Sequence, residues 1–72
     1  MRFAIVDFLD DASVDVVPSN WLINEKYCLW PPYRPARLII AVRKMEEPDR
    51  EKWTKYTIRV LRFYGMSIVY IV

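Results

Sequence analysis

Histidine is absent from this 72-residue chain, and cysteine and glycine occur once each. Each scarcity removes a class of chemistry. Without histidine there is no usual general base, no usual metal ligand, and no Ser-His or Cys-His nucleophile pair. A lone Cys28 can form no internal disulfide and no zinc-binding cysteine cluster. A lone Gly65 excludes Gly-rich phosphate loops and dinucleotide fingerprints. No catalytic residue, cofactor or metal ligand is expected, and the chain does not read as an enzyme. Long apolar runs are missing too. The longest, Ser67-Ile68-Val69-Tyr70-Ile71-Val72, falls far short of the ~20 residues that span a bilayer. Asp7 interrupts the first apolar run and no basic segment precedes it, so no secretory leader is expected and an intracellular setting is the default.

What is present is enough for one folded domain. Hydrophobic residues make up 54% and charged residues 28%, which is too apolar for disorder. A chain this short buries only about 60% of its unfolded surface, so the core must work without a staple. Aromatics, at 15%, are the obvious substitute. The net charge of +2 conceals an asymmetry. Residues 1–25 carry one base, Arg2, against five acids, a balance of −4. Residues 26–72 carry ten bases against four acids, a balance of +6. Two electrostatic faces, or two halves that complement each other, would both produce this pattern.

Local patterning predicts a small α+β domain. Arg2–Leu9 and Ser13–Val17 alternate as strands around Asp10-Asp11-Ala12. A three-residue loop gives a register that collects Ala4, Val6, Phe8, Val14 and Val16 on one face, with Asp7 opposite Asp15 on the other. A two-residue loop would instead place Asp15 beside Val6 on a buried face and is disfavoured. Pro18 ends the second strand, and Trp21-Leu22-Ile23 should pack back on the hairpin. Lys26–Trp30 reads as a third strand, stopped by Pro31-Pro32-Tyr33. Pro35 suits the first turn of a helix, and Leu38, Ala41, Val42 and Met45 mark its core stripe, widened by Ile39. Ile40, between Arg37 and Lys44, should be exposed. Pro48 is expected to terminate the helix, leaving residues 48–52 as a charged loop or single turn. In the strand Tyr56–Tyr64, Arg59 and Arg62 are out of phase, and a bulge near Val60-Leu61, or a strand ending there, would reconcile them. The expected fold is a small antiparallel sheet, built from the N-terminal hairpin, the third strand and the C-terminal strand or strands, packed on one helix.

Two stretches carry a resemblance. One runs from Phe3 through Asp10-Asp11 to Val16-Val17-Pro18 and Trp21. The other joins Cys28-Leu29-Trp30-Pro31-Pro32-Tyr33, the basic helix, Glu47-Pro48-Asp49, Trp53 and Tyr56. Together they resemble the N-terminal module of a multi-copy set of largely uncharacterised invertebrate, mainly arthropod, proteins. The opening is also similar to that of some BEN-domain chromatin proteins. The resemblance covers residues 3–64 and implies a nuclear, chromatin- or transposon-linked setting, usually with a further domain following. Residues 65–72 depart from it. For this uncharged, β-prone tail the expectations are pairing within the sheet as a last strand, self-association by strand addition or aggregation, or a stray end on a module spanning 1–64.

The candidate sites are binding surfaces. Trp21, Tyr27, Trp30, Tyr33, Trp53 and Tyr56 lie at predicted strand ends or turns. With Asp7, Asp10, Asp11 or Asp15 they would make a cage for a methylated lysine or arginine. The same rings are also what an unstapled domain would bury as core. Asp7 and Asp15, with Trp21, Tyr27, Trp30 and Tyr33, are the expected contact surface for a basic protein partner, because a like-charge pair costs stability. The alternative is nucleic-acid binding through Arg37, Arg43, Lys44, Arg59 and Arg62. Interspersed acids dilute that field. Pro32-Tyr33-Arg34-Pro35 is a minimal polyproline match and a better loop stiffener. Cys28 reads as a buried small hydrophobe.

Overall fold

In a computed structural model, residues 2–65 are described. The expectation for the tail concerns residues outside that range. The elements are β1 (Phe3–Phe8), β2 (Ser13–Pro18), a 3₁₀ turn (Ser19–Trp21), β3 (Leu22–Ile23), β4 (Tyr27–Trp30), α1 (Pro35–Lys44) and β5 (Thr54–Tyr64). The strands form one five-stranded antiparallel sheet in the order β2-β1-β5-β4-β3. A single helix packs on one face, so the α+β architecture is as the patterning predicts. No helix among the described residues is long and apolar enough to cross a membrane.

The hairpin register differs from the expected one. Phe8 pairs with Ser13, Asp7 with Val14 and Val6 with Asp15. Asp7 and Asp15 therefore lie on opposite faces of the sheet and do not oppose each other. Ala12 adopts a left-handed conformation (φ 52°), and the Asp11 N–H donates to the Phe8 carbonyl at 3.2 Å. The loop is thus Leu9–Ala12, one residue longer than expected. The disfavoured register survives because this end of the core face is open, so Asp15 beside Val6 stays exposed.

The bulge is where the charge spacing requires it. Ile5 pairs with Arg62 but Val6 pairs with Val60, leaving Leu61 as the extra residue. Arg59 and Arg62 consequently share the face of Ile5 and Asp7, away from the helix. The apolar side of β1 (Ala4, Val6, Phe8) meets Val17, Trp21, Cys28, Trp53, Ile58 and Ala41 in the core. Leu38 and Val42 pack against it. Ile39 does not. It is 54% exposed, beside Ile40 at 45%, because Ala41 already brings the helix close and the stripe needs no greater width.

The helix also stops earlier than Pro48 would make it. Met45 turns left-handed (φ 52°). Its N–H donates to the Val42 carbonyl and the Glu46 N–H to the Ala41 carbonyl, the pairing of a Schellman motif that glycine would normally close. The following turn is pinned by Asp49, whose Oδ1 accepts the N–H groups of Glu51 and Lys52. That turn delivers Trp53 to the core.

Leu22-Ile23 forms a short strand on β4 and does not return to the hairpin. Asn24 (φ 52°) and Glu25 (φ 58°) occupy the centre of the connecting turn, closed by the Lys26 N–H on the Ile23 carbonyl at 3.0 Å. Two successive positive φ values are the type I′ pattern, which favours Asn-Gly. Glu25 sits where glycine belongs. Glu25→Gly is expected to stabilise the domain by about 1 kcal/mol, as relief of the left-handed cost outweighs glycine's entropy. In a domain this size that is a Tm rise of about 4–8 °C. An unchanged Tm in thermal unfolding would remove the strain assignment.

Candidate functional site

Trp21 organises the aromatic interior. Its chain segment crosses from β2, at one edge of the sheet, to β3 at the other. The indole is fully buried and meets Trp30 edge-on at 5.9 Å and Trp53 at 5.0 Å between ring centroids. Its Nε1–H donates to the Glu46 carbonyl at 2.7 Å, while Asn20 Nδ2 donates to the Met45 carbonyl at 3.0 Å. These bonds tie the chain just past α1 to the Pro18 end of the hairpin. Trp21 is therefore core and can touch no partner, which corrects its placement on a contact surface.

Tyr33 belongs to the same interior. It lies edge-on to Trp53 at 5.8 Å, donates its hydroxyl to Glu46, and carries the Arg37 guanidinium 4.4 Å above its ring. The hydrogen bond to Glu46, followed by partial burial and the nearby carboxylate charge, raises the Tyr33 hydroxyl above the usual tyrosine range. Arg37 in turn pairs with Glu46 at 3.5 Å. The Pro31–Tyr33 segment thus packs onto its own domain. Cys28 is likewise internal. Burial, with a smaller push from the Asp15 charge, raises its thiol to about 12, so it is inert as a nucleophile.

The helix C-terminus covers the Phe3/Pro18 end of the core face. Among the described residues the helix does not reach the Phe8/Ser13 end, and a cleft of about 190 Å³ opens there. Phe8, Trp30, Tyr56, Asp11, Ser13 and Asp15 line it. Phe8 is the buried floor, with Trp30 at 5.4 Å and 86° and Tyr56 at 6.0 Å and 84°. The lining comes from four strands or their connecting loop. A flat sheet would hold β2 and β4 about 14 Å apart, so twist and the reach of the indole bring them together. No protein family, curated protein or solved structure matches this chain. Its own geometry must carry the functional argument.

Of the expected contact residues, Trp30 and Asp15 meet in this cleft. Asp7 and Tyr27 lie on the opposite face. Asp7 accepts from Arg59 at 3.2 Å, and Lys55 Nζ lies 4.5 Å above the Tyr27 ring. Arg59 and Arg62 share that face, whereas Arg37, Arg43 and Lys44 ride on the helix across the core. The five cations proposed for nucleic acid are therefore divided between two sides. Phe8, Asp11, Ser13 and Tyr56 complete the cleft, yet only Asp11 and Tyr56 stand out in sequence as cage candidates. The signal for the others is the register, which pairs Phe8 with Ser13.

The electrostatics of the cleft are one-sided. Among the described residues, two carboxylates line it and no Lys or Arg does. Arg37 and Arg59 are held by Glu46 and Asp7, and Asp15 Oδ1 accepts a local bond, the Val16 N–H at 2.8 Å. Aromatic rings in the lining can attract a cation through their quadrupoles, and Asp11 and Asp15 offer opposite charge. The volume is below the ~300 Å³ of small-molecule pockets. It suits one side-chain head group.

Proposed function

We propose that the chain is a non-catalytic protein-interaction module that receives a cationic side chain of a basic partner in the Phe8/Trp30/Tyr56 cleft. The observation that carries this is the conjunction of three rings with the Asp11 and Asp15 carboxylates and no basic lining residue. Asp11 and Asp15 steer the partner, while the rings hold the desolvated head group. The proposed setting is the one implied by the resemblance, a nuclear, chromatin- or transposon-linked polypeptide that contains this module.

The test is a titration with an alternating Gly-Lys decapeptide, followed by the indole N–H resonances of the three tryptophans. The Trp30 signal should shift while buried Trp53 does not, and the shift should weaken with salt. A Gly-Glu decapeptide should do nothing. An unmoved Trp30 signal, or an equal shift with the Gly-Glu peptide, would refute the reading.

A second reading, nucleic-acid binding, draws on the bulge at Leu61, which sets Arg59 and Arg62 on one face. It ranks lower because Arg59 is already paired with Asp7 and the helix cations lie on the other side. Salt-steep binding to DNA or RNA would restore it.

A further inference from the structure

Resting on the reading of the cleft as a cation site, the geometry points to a narrower ligand: we propose that it selects dimethylated lysine over unmodified lysine, trimethyllysine and arginine.

The selection follows from what lines the cleft. An unmodified ammonium is compact and strongly hydrated. N–H groups that point at Phe8, Trp30 or Tyr56 lose that water without a new partner, and only those turned toward Asp11, Ser13 or Asp15 regain one. Methyl groups spread the same charge over C–H surface that rings do accept. Aromatic faces alone would favour full methylation. This cleft, however, also presents carboxylates at Asp11 and Asp15 and the Ser13 hydroxyl. Each is an acceptor, and trimethyllysine has no N–H to give. A dimethylammonium keeps one N–H, and a bond between that charged donor and a carboxylate is among the stronger hydrogen bonds available. Two methyls against Phe8, Trp30 and Tyr56 and one N–H toward the Asp11/Asp15 rim satisfy both halves of the lining.

Arginine is disfavoured by size and shape. Its planar guanidinium carries five N–H donors in a fixed fork, whereas the acceptors of the lining, Asp11, Ser13 and Asp15, all come from β2 and the loop before it. Pressed between rings, some of those donors would lose water without gaining a partner. The small volume, about 190 Å³, leaves little room for solvent to remain with them.

The experiment uses the full chain and the Nα-acetyl amides of lysine, mono-, di- and trimethyllysine, arginine and norleucine. Each is titrated separately, with the Trp30 indole resonance as the readout and Trp53 as internal control. Dimethyllysine should bind about three- to tenfold more tightly than unmodified lysine, the range expected for a partly desolvated cation–π site. Norleucine should not shift Trp30. In Asp15→Asn, an exposed change that leaves the core intact, the preference for dimethyl over trimethyl should shrink. Equal binding of lysine, arginine and dimethyllysine would overturn the selectivity while leaving the cation site standing. Tightest binding of trimethyllysine would overturn the role given to the rim. If neither these probes nor the Gly-Lys peptide moved Trp30, the cation reading itself would fall.

Discussion

Replacing Trp21 with alanine is expected to cost about 3–5 kcal/mol, the range for deleting a buried large aromatic. A domain of this length has only about 4–11 kcal/mol in total at typical values per residue. Three losses combine. The cavity removes packing from the centre of the core, where the indole is fully buried. The edge-on contacts to Trp30 and Trp53 vanish together. The Glu46 carbonyl loses its indole donor at 2.7 Å and is left with the longer bond from Asn20 Nδ2 at 3.5 Å. Trp21→Phe separates these causes, since it keeps a ring but not the N–H, and should cost about 1–3 kcal/mol. Urea unfolding followed by near-ultraviolet circular dichroism measures both. A Trp21→Ala protein within 1 kcal/mol of the parent would show that the core is organised elsewhere.

The second large effect concerns binding. A cation among the rings is attracted by both carboxylates, an attraction damped by solvent because Asp11 and Asp15 are exposed. Reversing both, in the double variant Asp11→Lys with Asp15→Lys, should lower affinity for the Gly-Lys peptide by at least thirtyfold, about 2 kcal/mol. Stability should change by no more than about 0.5 kcal/mol, because both side chains are exposed. Cys28 offers an internal check. Asp15 makes the smaller contribution to the raised Cys28 thiol, so charge reversal should leave the thiol unreactive toward alkylating agents. Isothermal titration calorimetry decides the first point. Retained affinity in a folded double variant would dismiss the acidic rim.

The parts of the fold legible in sequence are those governed by local rules. Pro35 and the spacing of Leu38, Ala41, Val42 and Met45 mark the helix, and the three-residue gap between Arg59 and Arg62 marks the bulge. The misread parts depend on tertiary cover. Alternation bars Asp15 from the Val6 side of β2 only where this whole face is buried. The helix covers only its far end, so a carboxylate is tolerated there, and the register moves by one residue. Ala12, Glu25 and Met45 take left-handed backbone without being glycine, and the single glycine in the chain gives no clue to where such turns fall. The cleft follows from the register and was hidden with it. Its residues are visible as types, aromatic and acidic, but their meeting depends on which of them share an open end.

The place of β5 at the middle of the sheet has a consequence for how the protein comes into being. Its first half pairs with β4 and its second half with β1, as far apart in sequence as Phe3 and Tyr64. On a ribosome, β1 and β4 both wait for a partner that is translated after them. Until Tyr64 has left the exit tunnel, the hairpin and β4 expose unpaired edges and the aromatic interior has no roof strand. Such long-range pairing slows folding and prolongs exposure of those edges. A nascent chain halted before Thr54 would therefore be a target for chaperones or proteases, and never a smaller version of the finished domain.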